Sequence, residues 1–250
     1  MVRAIIFDID GTLIDSVDAH AESWVRALAQ FGVEADFHDV RRRIGMGADR
    51  LMPAFAPDDL LQRHGKDIES YRSDLFKREY LPTIRPFPRV RDLFERIRAN
   101  GQTIVLGSSC AADEIEDYKR IAGVADLVDA QTTKDDASRS KPSPDIFRAA
   151  LDQIAPIPTG DVVVVGDSVY DAQAARHAGV AVIGVLCGGS TEQALREAGC
   201  VAVYRDPADL LVGYEDSPLA AGGRVPVPTP ELQRSADSSD IQQPDQGQDR

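Results

Sequence analysis

Four short segments of this chain carry side chains that can do chemistry together. They are Asp8-Ile9-Asp10-Gly11-Thr12-Leu13, Gly107-Ser108-Ser109, Lys141-Pro142 and Gly166-Asp167-Ser168-Val169-Tyr170-Asp171. Asp8 and Asp10 point the same way from an extended chain, and Asp167 arrives from another strand end. Two like charges ~4 Å apart at an effective dielectric of 20 repel by roughly 4 kcal/mol, so such a cluster requires a cation or shared protons. Ligands that are all oxygen, with no His or Cys among them, favour a hard ion, Mg²⁺ before zinc or copper. Mg²⁺ takes one or two protein carboxylates and leaves its other positions to waters and phosphate oxygens. A Ser hydroxyl, nearby backbone amides and a lysine would neutralise the rest of a phosphate. The parts suit phosphoryl transfer, in which catalysis is chiefly positioning and charge stabilisation.

Three of the four segments follow a candidate strand directly, and Lys141-Pro142 stands between the second and third of these strands. Ala4 to Phe7, Thr103 to Leu106, Val162 to Val165 and Val180 to Val185 are short, nearly continuous apolar runs, as expected for strands covered on both faces. Helical periodicity lies between them. Val90, Leu93, Phe94 and Ile97 share a face before the stop at Asn100-Gly101, and Phe147, Ala150, Leu151 and Ile154 share one after Ser143-Pro144. Ser190 with Gln193 reads as a capping box, and Gly199 as the end of that helix. Alternating strand and helix predicts an α/β fold, a Rossmann-like doubly wound parallel sheet with its ligand at the carboxyl ends of the strands. Residues 16–83 break the alternation: Ala21, Trp24, Leu28 and Phe31 are helically spaced and no strand is evident. The expected organisation is an α/β core of residues 1–15 and 84–214 with an inserted all-helical cap at 16–83. The stretch Pro82 to Pro88 would form a stiff hinge strap. From Glu215 to Arg250 the chain turns rich in Pro, Ser, Gln and Asp and reads as a disordered tail.

The 250 residues carry 41 Asp plus Glu against 28 Lys plus Arg, a formal charge of −13. That balance argues against a nucleic-acid-coating protein, and no apolar run approaches the ~20 residues of a membrane helix. The first ten residues do not resemble a secretory signal, and three cysteines without CxxC spacing fit a reducing cytoplasm. At this length a folded chain buries about 70–75% of its surface, so a substantial core is feasible.

The order DxDGT, Ser, Lys-Pro, GDxxxD over residues 3–212 resembles the haloacid dehalogenase superfamily of phosphohydrolases. The resemblance implies that Asp8 is the nucleophile that becomes an aspartyl phosphate. Asp10 would be the general acid for the leaving group and then the base for water. Asp8 and Asp167, with the Asp10 backbone carbonyl, would hold Mg²⁺. Ser108, Ser109 (through its amide) and Lys141 would hold the transferring phosphoryl group, and Asp171 would orient Lys141 or a metal-bound water. The dehalogenases themselves lack an acid two residues after the nucleophile, which disfavours dehalogenation here. The helical insertion resembles the family's small cap, and its loop Arg41-Arg42-Arg43-Ile44-Gly45-Met46-Gly47 is similar to glycine-bearing cap loops of phosphoglycolate phosphatases. Asp15-Ser16 and His20…Trp24 are similar to the β-phosphoglucomutases, but Ala48 stands where those mutases carry an arginine. Phosphonate-cleaving relatives need an early cap lysine, whereas Lys66 and Lys77 come late. Arg89 stands where relatives usually place Gly after Pro.

Plainer roles compete for several of these residues. Asp8 and Asp10 could be a solvated strand end, Ser108 could cap a helix near Ala111, and Asp171 could be a first-turn acid. Arg41 to Arg43 read first as a solvated face, with Arg43 the one candidate for substrate contact. Trp24 reads as cap core, His20 as structural, and Cys187 and Cys200 as small buried hydrophobes. The expected function is Mg²⁺-dependent hydrolysis of a small phosphomonoester, phosphoglycolate or a sugar phosphate. A sugar-phosphate mutase and a non-catalytic phospho-accepting module are the alternatives.

Overall fold

The computed structural model describes residues 1–220. In chain order the elements are β1 (Ala4–Phe7), α1 (Val17–Gln30), α2 (Phe37–Arg41), α3 (Ala48–Leu51), α4 (Asp58–Leu75), α5 (Val90–Ala99), β2 (Thr103–Gly107) and α6 (Ile115–Ala122). There follow β3 (Ala130–Thr132), α7 (Asp145–Gln153), β4 (Val162–Gly166), α8 (Val169–His177), β5 (Ala181–Val185), α9 (Glu192–Ala198), β6 (Ala202–Tyr204) and α10 (Pro207–Val212). The six strands form one sheet in the order β3-β2-β1-β4-β5-β6, and every pairing is parallel. This is the expected α/β doubly wound fold.

Strand alternation divides the core into two layers, because successive side chains leave opposite faces. Ile5, Phe7, Ile104, Leu106, Val163 and Val165 meet α5, α6 and α10 on one face, through Leu93, Phe94, Tyr118 and Leu210. Ala4, Ile6, Val105, Val162 and Val164 meet α7, α8 and α9 on the other, through Phe147, Ala150, Ala175 and Leu195. Both faces are covered, which is why the strands read as unbroken apolar runs. The edge strands β3 and β6 are three residues each and mostly half-buried, too short for such a run, and the sequence pattern did not reveal them.

Residues 17–80 contain helices and no strand, and they pack an apolar cluster of their own around Trp24, Leu28, Val40, Leu51 and Ile68. Two crossings join this unit to the sheet, and they lie side by side. Asp15 N donates to Arg85 O at 2.9 Å, Phe87 N donates to Leu13 O at 2.9 Å, and Ile14 bridges Pro86 in antiparallel fashion.

Three local expectations need correction. Helix α9 begins one residue later than the Ser190–Gln193 box requires, because Thr191, itself a good cap, takes Ala194 N on its Oγ1 at 3.2 Å. Helix α7 begins at Asp145 with Pro144 as its cap residue, and the Ser143 hydroxyl donates to Asp145 instead of capping. Packed structure also continues past residue 214. Tyr214, Ser217 and Leu219 are buried, and Gln102 Nε2 donates to the Leu219 carbonyl at 2.8 Å. The rest of the expected tail, residues 221–250 with its apolar patch at Val225 and Val227, lies outside the described residues.

Arg89 is the one described non-glycine residue with positive φ, at 61°. It caps α5 in the left-handed region, where a Cβ costs of order 1 kcal/mol or more. Its exposed ion pair with Asp92 returns little of that. Replacing Arg89 by Gly is therefore expected to raise the thermal midpoint by about 2–4 °C. Arg89→Ala, which keeps the strained Cβ, should not raise it. A Gly variant melting below wild type would contradict this reading of the turn.

Candidate active site

The carboxyl ends of β1, β2 and β4 set the site. Phe7 lies beside Leu106 and Val165 in the ladder, so Asp8 follows β1 level with the ends of both neighbours. Asp8 N continues the pairing to Val165 O at 2.9 Å. Asp167 follows Gly166 at the end of β4, and Ser108 follows Gly107 at the end of β2.

Lys141 joins these ends. Its side chain is 1% exposed, with Nζ 2.5 Å from Asp8 Oδ1, 2.8 Å from Asp171 Oδ1 and 3.2 Å from the Gly107 carbonyl. The ammonium also lies 5.2 Å from the centre of the Phe147 ring. Asp171 is fixed from its other side, because Ser168 N and Oγ both donate to its Oδ2, at 3.1 and 2.6 Å. This is a capping box at the start of α8, so Asp171 serves the helix and the lysine together.

Carboxylate oxygens of Asp8, Asp167 and Asp171 lie within 4.8 Å of one another, and all three residues are buried. At that separation a pair of charges repels by about 3 kcal/mol at an effective dielectric of 20. Three carboxylates face one lysine, an excess of negative charge, and the donor atoms are all oxygen. A hard divalent cation fits this set. Thr12 Oγ1 lies 3.4 Å from Asp8 Oδ2 and 3.3 Å from Asp167 Oδ1, bridging the two. Asp167 is also pressed by backbone. A Cβ on Gly188 would sit 1.7 Å from Asp167 Oδ2, and one on Gly11, whose φ is +76°, would sit 2.5 Å from it. Neither position admits a side chain without moving that carboxylate.

Asp10 faces elsewhere. Its Oδ1 accepts from Ser16 Oγ at 2.6 Å and from His20 Nε2 at 2.7 Å. His20 Nδ1 in turn meets Arg72 Nη2 from α4. A guanidinium only donates, so Nδ1 must accept and Nε2 must carry the proton given to Asp10. Arg72 is held by Ser23 Oγ and lies over the rings of Trp24 and Phe76.

Burial and the neighbouring Asp171 push the Asp8 carboxyl up to about 7, against the opposing pull of Lys141. Burial and the same carboxylates raise Asp167 well above its ordinary value. Burial also works to raise Asp10, but His20, Ser16 and Arg72 outweigh it and hold that group below the usual carboxylate range. The two aspartates of one motif are thus driven in opposite directions.

A cavity of about 770 Å³ opens over these groups, lined by Asp8, Asp10, Ser109 and Lys141 from the sheet and by Ile44 to Asp49 from the helical unit. Ser108 is buried behind it, its Oγ accepting from Cys110 N at 3.2 Å. That bond is a local turn and not a helix cap, since α6 begins only at Ile115. Arg43 does not line the cavity; it donates to the Asp39 carbonyl and lies over Phe55. Arg41 and Arg42 pair with Asp18 and Asp39. Sequence reasoning missed the contact of His20 with Asp10. The four-residue spacing of Ser16 and His20 across the start of α1, just past the DxDGT segment, was the available signal. Arg72 had none, being 52 residues from its histidine.

Asp8 holds its proton more tightly when folded than when unfolded, so its protonation favours the folded state. That contribution is full below about pH 4 and fades as pH rises through about 7. In a chelating buffer the thermal midpoint should therefore fall between about pH 5 and pH 8. A divalent cation should stabilise more at the upper end, where it replaces the lost protons. A midpoint that climbs with pH and ignores the cation would contradict the proposed cluster.

Comparison with known proteins places this geometry in a family. The model of the haloacid dehalogenase-like hydrolases matches residues 2–179. The chain is 28% identical to a phosphoglycolate phosphatase of Nitrosospira multiformis over 211 residues, 81% of this chain and 91% of that protein. It is also 28% identical to a phosphorylated carbohydrates phosphatase of Thermotoga maritima, covering 84% of this chain and 97% of that one. The crystal structure of a hydrolase from Pseudomonas syringae superposes with a TM-score of 0.77 at 28% identity, over 86% of this chain and 98% of its own. With three strand ends meeting at a buried Asp8–Lys141 pair and a family match over most of its length, the chain belongs to the haloacid dehalogenase-like hydrolases.

Proposed function

We propose that the protein hydrolyses a small-molecule phosphomonoester in two steps through an aspartyl phosphate on Asp8. The observation that carries this reading is the buried contact of Asp8 Oδ1 with Lys141 Nζ at 2.5 Å, at a strand end beneath a cavity. The chain is a phosphoric monoester hydrolase. In the first step an Asp8 oxygen bonds to phosphorus while the bond from phosphorus to the ester oxygen breaks. Asp10, in its protonated form, gives the departing oxygen its proton. In the second step Asp10, now ionised, takes a proton from water, which attacks the same phosphorus and restores the Asp8 carboxylate. The ionised state is the one its contacts to Ser16 and His20 favour. Lys141, the Ser108 hydroxyl and the Ser109 amide hold the phosphoryl oxygens, and Asp171 keeps Lys141 in place.

Asp8, Asp167 and the Asp10 carbonyl would hold Mg²⁺. When bound it would cancel charge that otherwise keeps a carboxylate from a phosphate dianion. The helical unit of residues 16–83 acts as a cap, covering the site and shaping the space for the leaving group. The substrate is a soluble phosphorylated metabolite of the cytoplasm. Among the described residues no helix is long and apolar enough to cross a membrane. Dehalogenation is not favoured, given an acid at position 10 with its own hydrogen-bonded support.

Turnover of p-nitrophenyl phosphate with Mg²⁺ tests the reading. Asp8→Asn should release nothing above background, and Asp10→Asn should lose about 10²–10⁴-fold. An Asp8→Asn protein that keeps wild-type turnover would remove the proposed nucleophile.

A further inference from the structure

We infer that Ser140, Ser168 and Tyr170 form a seat on the core onto which residues 42–47 of the cap lock, and that seating holds Lys141 and Asp171 in their working positions. This rests on the phosphomonoesterase reading given above. The stretch between α2 and α3 lies directly on the core. A Cβ on Gly45, whose φ is +104°, would fall 2.8 Å from Ser168 Oγ and 3.3 Å from Tyr170 Cδ2. A Cβ on Gly47 would fall 2.5 Å from Ser140 Cβ. Two glycines thus bring backbone to where a side chain would hold the cap off. Tyr170 completes the contact, its hydroxyl donating to the Arg42 carbonyl at 3.1 Å.

Both core loops of the seat carry charged members of the site. Ser140 directly precedes Lys141, and Ser168 directly follows Asp167. Ser168 Oγ donates to Asp171 Oδ2 at 2.6 Å, and Asp171 Oδ1 lies 2.8 Å from Lys141 Nζ. A push on Ser168 therefore reaches the ammonium through one carboxylate. Tyr170 acts through these contacts and is a positioning residue.

Other ties between cap and core around the cavity are weaker. Lys134 sits 3.0 Å from Glu69 and Lys77 sits 2.6 Å from Asp113, but all four side chains are at least 35% exposed. Ion pairs so exposed contribute little. The seat also has a built-in opposing cost. Ser140 Oγ is buried, 2.9 Å from the position of a Gly47 Cβ, with no hydrogen-bond partner among the described residues. Water would satisfy that hydroxyl when the cap lifts, so close packing and the Tyr170 bond hold the closed state against it.

Steady-state kcat/KM of the full chain on p-nitrophenyl phosphate with Mg²⁺, in a double-mutant cycle at positions 47 and 140, is the test. Gly47 has φ −76° and ψ 167°, a conformation open to any residue, so alanine there meets only Ser140 and the flexible end of Asp49. Gly47→Ala should lower kcat/KM by about tenfold or more. In a Ser140→Gly background, which removes the atoms that alanine strikes, the same change should cost about twofold or less. Its local effect on the start of α3 is common to both backgrounds and cancels. Tyr170→Phe should lower kcat/KM by about three- to tenfold, the range of one neutral hydrogen bond, with its thermal midpoint kept. A Gly47→Ala loss that is absent, or equal with serine and glycine at 140, would overturn the inference, as would wild-type kcat/KM in Tyr170→Phe. The phosphatase reading would still stand on an active wild type and an inactive Asp8→Asn. No turnover by wild type would end both.

Discussion

A lysine ammonium buried between two aspartates governs this structure. Lys141 has given up water, and its charge is tolerable only because Asp8, Asp171 and the Gly107 carbonyl surround it. The reverse also holds. Asp8, Asp167 and Asp171 could not share so small a space as three anions without that ammonium and a further source of positive charge or protons. The protein's own groups thus leave an excess of negative charge at this point, which suits a cation or shared protons. Losing Lys141 would leave three buried carboxylates without the ammonium that two of them share.

The fold exists, in this sense, to hold those charges together. A parallel sheet delivers strand ends to a common edge, and covering both faces leaves that edge as the place where polar groups can emerge. Two glycines let backbone press directly on Asp167, while Ser168 fixes Asp171 from behind. The helical unit reaches the same edge by another route. Arg72 on α4 meets His20, and His20 meets Asp10, so the group assigned to proton transfer takes its surroundings partly from the insertion. Asp8 answers to the sheet, and Asp10 answers to the helices.

Much of this was legible in the residues. The central strands declare themselves as apolar runs, and each is followed at once by its polar segment, so the sequence alone refers Asp8, Asp167 and the residues after β2 to one edge. Lys-Pro was legible by its place in the order of motifs. What escaped has physical causes. Strands β3 and β6 are three residues long and only partly covered, so neither alternation nor a continuous run could mark them. The Arg72–His20–Asp10 connection depends on how an insertion folds back, and no local pattern encodes a contact 52 residues apart. The basic run at 41–43 was correctly read first as a surface feature, since all three guanidiniums have partners outside the cavity.

The claim beneath all of this is covalent, that phosphorus becomes bonded to the carboxylate at position 8. Rapid acid quenching of the enzyme during turnover of a phosphorus-labelled ester, followed by mass mapping of the β1 peptide, reads that bond directly. The account predicts a hydroxylamine-sensitive phosphoryl group on Asp8 that persists longer when Asp10 is replaced by Asn. Label on another side chain, or continued hydrolysis with no labelled protein at any quench time, would contradict it.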